Sequence, residues 1–312
     1  MRSIAILIAL TCATSVQAAT ITVRKDGSGD YMVLQQALDV AASGDTVLVG
    51  PGEYTESSMV RLDGYGYDIE SFGCFVAANV TLIGSGVEST FIGPTSPRGS
   101  PGTLSPKCLV QDVDGGWLRI CDLTIRNCYE GLFGEGDLFM ERCRVLDNSI
   151  GIAWFKIGSV GWIRNSSIER EAVTQTSSAF DIGALTVGGG VSIEECSFGD
   201  HGTIRGVQEF VFQRCQMSGL QMLAGARASI LDCTDATSDG GVVMALGAGA
   251  YCEIRNSELH RDFATLVIDQ SAPGSRFVVE NSRLEGGLHG VLYSGDGAGA
   301  CEIHNCDLVK GS

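Results

Sequence analysis

The chain has 312 residues, a formal net charge of −16, 42 glycines, six prolines and few aromatic residues. This acidity disfavours nucleic-acid binding, which depends on neutralising phosphates with Lys and Arg. It also disfavours a strongly acidic polymer, unless a local basic strip or bridging cations intervene. The many glycines and short apolar runs predict short strands joined by tight turns around one large core.

Residues 1–18 have the layout of a secretory signal peptide. Arg2 precedes a short apolar run that ends at Leu10, and small residues lead up to Ala18. The run is too short to span a bilayer, so we predict cleavage after Ala18 and no membrane span. Cys12 would permit a lipid anchor, but Thr11 directly before it is a poor lipidation context. The expected location is secreted, either extracellular or periplasmic.

Residues 19–116 are predicted to form an N-terminal cap and the first coils of the domain. Strands are predicted at Ile21–Val23, Thr46–Val49 and Val80–Ile83, and a short amphipathic helix from about Met32 to Ala42. The helix has an apolar stripe of Leu34, Ala37, Leu38 and Ala41. Such a helix would cover the open apolar end of a stack of strands. Loop insertions interrupt this region at 57–78 and 95–106.

Residues 117–312 are predicted to form regular coils, because one motif recurs through this part of the chain. It reads apolar-x-apolar-x-polar, then Cys or Ser, then x-apolar. Its nine copies have their Cys or Ser at Cys128, Cys143, Ser166, Cys196, Cys215, Cys233, Ser257, Ser282 and Cys306. The spacing averages about 22 residues, which is too short for a helix pair and is typical of one coil of a parallel β-solenoid. The sequence therefore predicts an all-β, single-stranded parallel β-helix over residues 19–312.

Aligned copies of the motif predict a corner in every coil. Five of the nine residues before the Cys or Ser are Asn, which tolerates left-handed backbone at a bend. The residues two positions before the Cys or Ser are mostly charged and alternate in sign at both ends of the column, so we expect a solvated charge ladder. That column is Arg126, Glu141, Arg164, Glu194, Gln213, Leu231, Arg255, Glu280 and His304.

The same alignment places six cysteines in one inward column, where Cys acts as a small apolar filler. Their side chains run parallel, which disfavours disulfide geometry, so we expect buried thiols there. Cys74 and Cys108 lie outside the motif and are the favoured disulfide if one forms. No pair has metal-ligand spacing and the four His are scattered, so neither a metal nor a cofactor is expected.

Two stretches carry a resemblance to a known family. The segment VRKDGSGDYMVLQQALDVAASGDTVLVGPGEYTE, followed by NVTLIGSGVESTFI, resembles the amino-terminal part of pectin methylesterases and of the wider pectin-lyase-like proteins. LRICDLTIRN and LFMERCRVLDNSIGI continue the resemblance, which covers about residues 21–152. It implies a right-handed parallel β-helix and a role in polysaccharide chemistry.

The resemblance does not extend to the esterase catalytic residues. Gly52, Tyr54 and Glu56 match a Gly-x-Tyr-x-Glu element that β-helix proteins without esterase activity also share. The segment that should carry the general acid after the Arg-Cys motif reads NSIG at 148–151, without a carboxylate. Ester hydrolysis by two carboxylates needs a nucleophile and a proton donor on adjacent coils. The resemblance therefore supports the fold and argues against that activity.

Candidate site residues come from the outward face of the strand that follows the corner. If the coils stack in register, this face carries Gly151, Asp181, Arg205, Gln221, Val243, Val267 and Leu292. Asp181 and Arg205 are the catalytic candidates and Gln221 a substrate-binding candidate, although the first two would equally make a surface ion pair. Tyr65 and Tyr67 in the first insertion are candidate sugar-stacking residues, or they pin that insertion to the helix wall.

Two functions are compatible with these residues. The first is a secreted β-helix that binds carbohydrate, or a non-catalytic surface or structural module. The alternative is a polysaccharide-active lyase, hydrolase or esterase with its site on the outward face of one strand column. The expected partner is a polysaccharide, and the last coil, CEIHNCDLVKGS, would permit end-to-end association because it lacks a polar capping segment.

Overall fold

The structure is a computed structural model of the chain. It describes residues 17–62, 67–77, 79–97, 105–111, 116–154, 160–169, 178–184, 190–206, 209–235, 243–261, 264–268, 273–286, 289–293 and 299–310. Residues 1–16 of the predicted signal peptide lie outside this set.

One helix and 32 strands are present among the described residues. The helix is α1 (Leu34–Val40). The strands of the first third are β1 (Thr20–Val23), β2 (Thr46–Val49), β3 (Gly52–Tyr54), β4 (Ser58–Leu62), β5 (Tyr67–Phe75), β6 (Val80–Ile83), β7 (Thr90–Ile92) and β8 (Lys107–Gln111). The next are β9 (Trp117–Cys121), β10 (Thr124–Arg126), β11 (Glu130–Gly134), β12 (Asp137–Glu141), β13 (Arg144–Leu146), β14 (Ile150–Trp154), β15 (Val160–Arg164), β16 (Ser167–Glu169), β17 (Ser178–Ala184), β18 (Gly190–Glu194), β19 (Ser197–Gly206) and β20 (Glu209–Gln213). The last are β21 (Gln216–Met222), β22 (Arg227–Leu231), β23 (Thr234–Asp235), β24 (Val243–Ala245), β25 (Tyr251–Arg255), β26 (Glu258–Arg261), β27 (Ala264–Ile268), β28 (Arg276–Glu280), β29 (Arg283–Gly286), β30 (His289–Tyr293), β31 (Ala300–His304) and β32 (Asp307–Lys310).

These strands stack into a right-handed parallel β-helix, which confirms the predicted fold. One sheet has twelve parallel strands in the order β1-β2-β6-β9-β12-β15-β18-β20-β22-β25-β28-β31. The second sheet contains two rows. We call the row that includes β10, β13, β16 and β23 the corner row, and the row β5-β8-β11-β14-β17-β19-β21-β24-β27-β30 the site row. The long strands β19 and β21 belong to both rows, and only β4 pairs antiparallel, with β5, among the described pairings.

The N-terminal cap forms as predicted. Strands β2 and β6 have the predicted bounds, and α1 lies inside the predicted helical window. Leu34, Ala37 and Leu38 of α1 are buried in the main core. Tyr54 is also buried, and its hydroxyl contacts the carbonyl oxygens of Val23 at 3.2 Å and Gly50 at 3.1 Å. The aromatic residue of the Gly-x-Tyr-x-Glu element is therefore a structural member of the first coils.

Each corner residue adopts the left-handed backbone conformation that the Asn-rich column predicts. The corner between the first sheet and the corner row has φ between 47° and 57° at Asp122, Arg142, Asn165, Glu195, Arg214, Asp232, Asn256, Asn281 and Asn305. Three of these residues are Arg or Glu, so stacking of the coils imposes the bend even where the residue type does not favour it. The following Cys or Ser points into the core, where Cys143, Cys196, Cys215 and Cys233 are all buried.

The structure corrects the position of the first copy of the motif, the one that ends at Cys128. Met140 pairs with Ile120, not with Ile125, so Leu123 is the residue that stacks on Cys143. Cys128 instead follows a second left-handed corner at Asn127, which recurs at Asp147 in the next coil. Two closely similar bends in one short coil produced the shift of five residues.

The charge ladder forms in the remaining coils. Arg164 pairs with Glu194 at 3.3 Å, and Arg255 pairs with Glu280 at 3.2 Å, each across adjacent strands of the first sheet. The predicted disulfide between Cys74 and Cys108 is absent. The Cys74 side chain belongs to a separate apolar cluster on the outward face of the site row, whereas Cys108 lies in the main core.

The last described coil leaves apolar side chains accessible. Leu308 is 55% exposed, and Cys301, Ile303 and Cys306 are only partly buried. End-to-end association through this coil stays a prediction, as does the division of the domain at residue 116. No helix among the described residues has the length and hydropathy that a membrane-spanning helix needs.

Candidate functional site

The outward side of the site row carries the predicted site residues. In β17, the consecutive residues Ala179 and Phe180 both face the core. The residue after this pair faces outward. In register, the outward column of the row is Cys74, Val110, Phe133, Ala153, Asp181, Thr203, Gln221, Met244 and Val267. Leu292 pairs with Val267 on the next coil.

Three polar residues occupy the middle of this column. Asp181 pairs in register with Thr203, and Thr203 pairs with Gln221 on the next coil. Adjacent coils are about 4.8 Å apart, so the three side chains form a continuous polar strip of three coils. On the central strand β19, alternation brings His201, Thr203 and Arg205 to the same side. We call these five residues the central cluster.

Asp181 and Arg205 form a two-point ion pair across β17 and β19. The Arg205 Nε atom lies 3.0 Å from Asp181 Oδ1, and the second guanidinium nitrogen contacts Asp181 Oδ2. Arg205 pairs in register with Gly183, so the ion pair with Asp181 is diagonal across the two strands. The Asp181 side chain is 22% exposed and that of Arg205 is 41% exposed. The pair is therefore fixed in orientation and accessible to a ligand.

A His–Asp dyad lies at the edge of the same cluster. The register between β19 and β21 shifts between Phe198 and His201, and Asp200 lies within this irregularity. Asp200 Oδ1 accepts a hydrogen bond from the backbone N–H of His201 at 2.7 Å and lies 2.9 Å from its Nδ1 atom. The Ser178 hydroxyl donates to the backbone oxygen of Phe180 at 2.8 Å and lies 3.2 Å from that of His201. The carboxylate orients the imidazole and leaves its Nε2 atom for other contacts.

The predicted site residues are partly brought together. Asp181 and Arg205 are in contact, as predicted for adjacent residues. Gln221 lies beside Thr203 and not beside Arg205, because Arg205 is two positions further along its strand. Tyr67 is the first residue of β5, in a hairpin with β4 where we expected a loop. Tyr65 lies outside the described residues.

Two other members of the predicted column need correction. Val243 is fully buried and pairs with Leu220, so Met244 occupies the outward position next to Gln221. Ala153, two residues after Gly151, pairs with Asp181. Sequence reasoning also missed His201 and Thr203. The alternation H-x-T-x-R in HGTIRG was the available signal, and the bulge before it obscured the phase.

The same face is different at its N-terminal end. Ile69, Cys74, Val110, Phe133 and Ala153 form a buried apolar cluster there. Next to this cluster, the ammonium group of Lys107 and the carboxylate of Glu130 form an ion pair in which the side chains are only 6% and 10% exposed. The Lys107 Nζ atom lies 4.1 Å from the centre of the Phe133 ring, and burial lowers the pKa of Lys107 to about 8. We call these residues the covered cluster.

A groove of about 710 Å³ runs along the corner row, on a different face of the β-helix from the central cluster. Its floor and its corner side carry four residues each, on adjacent coils. They are Arg144, Ser167, Ser197 and Gln216 on the floor, and Arg142, Asn165, Glu195 and Arg214 at the corner. Glu88 and Glu169 also line it. We call this cavity the corner groove.

No group of three or more His, Cys, Asp or Glu side chains with metal-binding geometry occurs in the part of the chain that the structure describes. Several buried cysteines have raised pKa values. Burial raises the pKa of Cys143 to about 12, and the hydrogen bond with Cys196 is the main cause of a pKa of about 12 at Cys215. These thiols are protonated at neutral pH and poor metal ligands.

No protein-family model matches the chain, and no curated protein sequence matches it. Similar solved structures include pectin methylesterase from carrot, with 15% identity and a TM-score of 0.45 over 94% of this chain and 83% of that one. The A-module of a mannuronan C-5 epimerase from Azotobacter vinelandii has 14% identity and a TM-score of 0.42 over 89% of this chain and 95% of that module. The catalytic unit of an α-1,3-glucanase from Streptomyces thermodiastaticus has 13% identity and a TM-score of 0.42 over 93% and 69% of the two chains.

Proposed function

We propose that the protein is a secreted β-helix that binds a polysaccharide chain across the central cluster. The observation that carries this proposal is the polar strip of Asp181, Thr203 and Gln221 on three adjacent coils, with Arg205 clamped to Asp181. Secretion is inferred from the layout of residues 1–18, and the ligand class from the resemblance of residues 21–152 to pectin methylesterases.

The chemistry of the cluster suits sugar hydroxyl groups. A sugar hydroxyl both donates and accepts, and the cluster offers carboxylate acceptors, guanidinium donors, a hydroxyl and an amide. The orientation of the ion pair is set before a ligand arrives, which lowers the entropy cost of binding. Met244 beside Gln221 supplies an apolar surface for the less polar face of a sugar ring.

The Asp200–His201 dyad favours a second candidate function, which is turnover of the bound polysaccharide. An imidazole oriented by a carboxylate can move a proton near neutral pH, which is the usual role of histidine as a general acid or base. In that case Asp181 and Arg205 would be catalytic residues in contact with the substrate, and His201 would transfer the proton. A non-catalytic structural module is the outcome if neither binding nor turnover is found.

The test is a screen of the mature protein on a polysaccharide array, combined with reducing-end and uronate assays. Binding that Gln221→Ala and Asp181→Ala each weaken by about tenfold supports the proposed function. Turnover that is lost in Asp181→Ala, Arg205→Ala and His201→Ala supports the enzyme. Binding that none of these variants changes would exclude the central cluster as the site.

A further inference from the structure

The corner groove is a second polar surface that the proposed function does not use. It spans four coils, roughly 14 Å along the helix axis at 4.8 Å per coil, and its floor is a row of side chains in parallel register. In the described part of the chain, the side chains of Ser167, Ser197 and Gln216 make no hydrogen bond, although all three line the groove. These groups are available to a ligand.

The charges of the groove are balanced in pairs. Arg144 contacts Glu169 at 2.9 Å, and Arg214 contacts Glu195 at 3.0 Å. Arg142 binds both oxygens of Asp122, at 2.7 Å and 2.8 Å, and this contact raises its pKa. Because every guanidinium group that lines the groove is held by a carboxylate, neither an acidic nor a basic polymer gains strong attraction there.

We propose that the corner groove binds a linear, uncharged oligosaccharide. Such a ligand offers only hydroxyl and ring oxygen atoms, which match the free serine and amide groups of the floor and the outer edges of the fixed ion pairs. The repeat of the floor along the helix axis suits an extended chain that lies across the coils. The ligand class follows from the proposed carbohydrate-binding function, whereas the location is independent of the central cluster.

The groove is tested by calorimetric titration with uncharged hexasaccharides of glucose, xylose and mannose, and with hexagalacturonate as the acidic comparison. Ser197→Tyr fills the middle of the floor. Its matched control is Thr234→Tyr, at the exposed position that pairs with Gln216 one coil beyond the groove. Gln221→Ala reports the central cluster separately.

We expect an uncharged hexasaccharide to bind, with affinity that falls about tenfold or more in Ser197→Tyr and stays within about twofold in Thr234→Tyr and Gln221→Ala. If Ser197→Tyr lowers the unfolding temperature relative to Thr234→Tyr, Gln216→Ala replaces it, with a decrease of about threefold expected. No uncharged hexasaccharide bound at millimolar concentration, a preference for hexagalacturonate, or binding that only Gln221→Ala removes would overturn the proposal.

A second inference rests on an independent observation, the contact between Cys108 and Cys128. Their Sγ atoms are 2.9 Å apart, and both residues are buried. A disulfide bond is about 2.05 Å long, so a small approach would form one. The register explains the contact. Lys107 pairs with Glu130 and Leu109 with Leu132, so Cys108 lies opposite Gly131, three residues after Cys128. A Cβ atom at Gly93 would lie 2.6 Å from the Cys108 Sγ atom, so the missing side chain there leaves room for this sulfur.

The cysteines of the inward column differ from this pair. Their side chains run parallel, and each Sγ atom contacts a carbonyl oxygen of the preceding coil. Cys196 lies 3.4 Å from the Ile163 oxygen, and Cys233 lies 3.6 Å from that of Phe212. We propose that Cys108 and Cys128 form a disulfide in the exported protein and that the column stays reduced. The two thiols lose two protons and two electrons, and the disulfide of an exported thiol oxidoreductase accepts them and becomes a dithiol.

The disulfide is tested by titrating thiols in denatured protein purified from an oxidising compartment. Cys108→Ser is expected to raise the number of thiols by one, because it releases Cys128. The matched variant Cys233→Ser is expected to lower the number by one, because it removes a thiol. A non-reducing peptide map of the wild type should contain the linked peptides. A thiol number that falls in both variants would overturn the proposal.

Discussion

The covered cluster and the central cluster occupy the same column of the same strand row, yet the side chains of the first are buried and those of the second are partly exposed. Around Phe133, the outward residues are apolar and packed, and even the Lys107–Glu130 ion pair is almost fully buried. From two coils beyond Phe133 onwards, the same outward positions carry Asp181, Thr203 and Gln221 with partial exposure. The repeat determines the direction of a side chain. Whether that side chain stabilises the fold or is accessible to a ligand depends on whether neighbouring residues bury it.

The two ion pairs make this difference measurable. Burying two charges costs several kcal/mol, and removing one partner leaves the other charge without compensation in an apolar site. An accessible pair contributes about 0–1 kcal/mol to folding, because water solvates both ions in either state. The Lys107–Glu130 pair should therefore matter for stability, and the Asp181–Arg205 pair for recognition.

The largest effect is expected for Glu130→Ala. This variant leaves the Lys107 ammonium next to Phe133 without its carboxylate, and we expect a loss of about 3–5 kcal/mol in the free energy of unfolding. Urea unfolding followed by circular dichroism measures it. The matched control is Glu53→Ala, which removes the partner of Arg126 at a site where the glutamate is 52% exposed, with an expected loss under about 1 kcal/mol. Equal losses in both variants would show that the Lys107 site is hydrated.

The next largest effect is expected below the central cluster, for Gly202→Ala. A Cβ atom at Gly202 would lie 1.9 Å from the nearest Phe180 ring atom, so the ring or the strand must move. Overpacking of this kind costs about 1–3 kcal/mol or more. Gly190→Ala is the control, because a Cβ atom there meets only the Glu209 oxygen at 3.6 Å. A thermal shift no larger than that of the control would mean that Phe180 has free space.

A smaller effect with a defined pH dependence is expected for Tyr54→Phe. Burial raises the pKa of Tyr54 to about 12, above its ordinary value of about 10. Because the folded pKa is the higher one, the wild type loses this stability as the pH rises from about 10 to about 12. The variant should be about 1 kcal/mol less stable at neutral pH, from the lost hydroxyl contacts, and the difference should shrink above pH 10. Urea unfolding at pH 8 and pH 11 tests this, and a constant difference would contradict it.

The architecture was largely predictable because it depends on periodicity. A recurring motif with strand formers and an Asn-rich corner fixes the coil, the inward column and the charge ladder, as Arg164 and Glu194 illustrate. The candidate site depends on something that the repeat does not contain, which is the inward or outward phase of each strand of the site row. Asp181 and Gln221 were placed in the correct column, whereas Arg205 was displaced by two residues.

The His201 dyad illustrates the same limit. Asp200 and His201 lie at the irregularity where β19 shifts its register, and none of the other described parallel pairings has such a shift, so the described coils offer no equivalent pair to align. The two left-handed corners at Asp122 and Asn127 have a different consequence. Both bends fit the same motif, so the first copy can be aligned on the wrong one. Local departures from a repeat cannot be predicted by aligning its copies, although functional residues of a solenoid can lie at such positions.

The central claim is that the exposed pair serves recognition and the buried pair serves stability. It is tested most directly by calorimetric titration of Asp181→Asn with the polysaccharide that the wild type binds, at a temperature where both proteins are folded. We predict that the affinity of Asp181→Asn is lower than that of the wild type by about tenfold or more. Its free energy of unfolding should be unchanged within about 1 kcal/mol. Wild-type affinity in Asp181→Asn, or a loss of stability comparable to that of Glu130→Ala, would contradict the account.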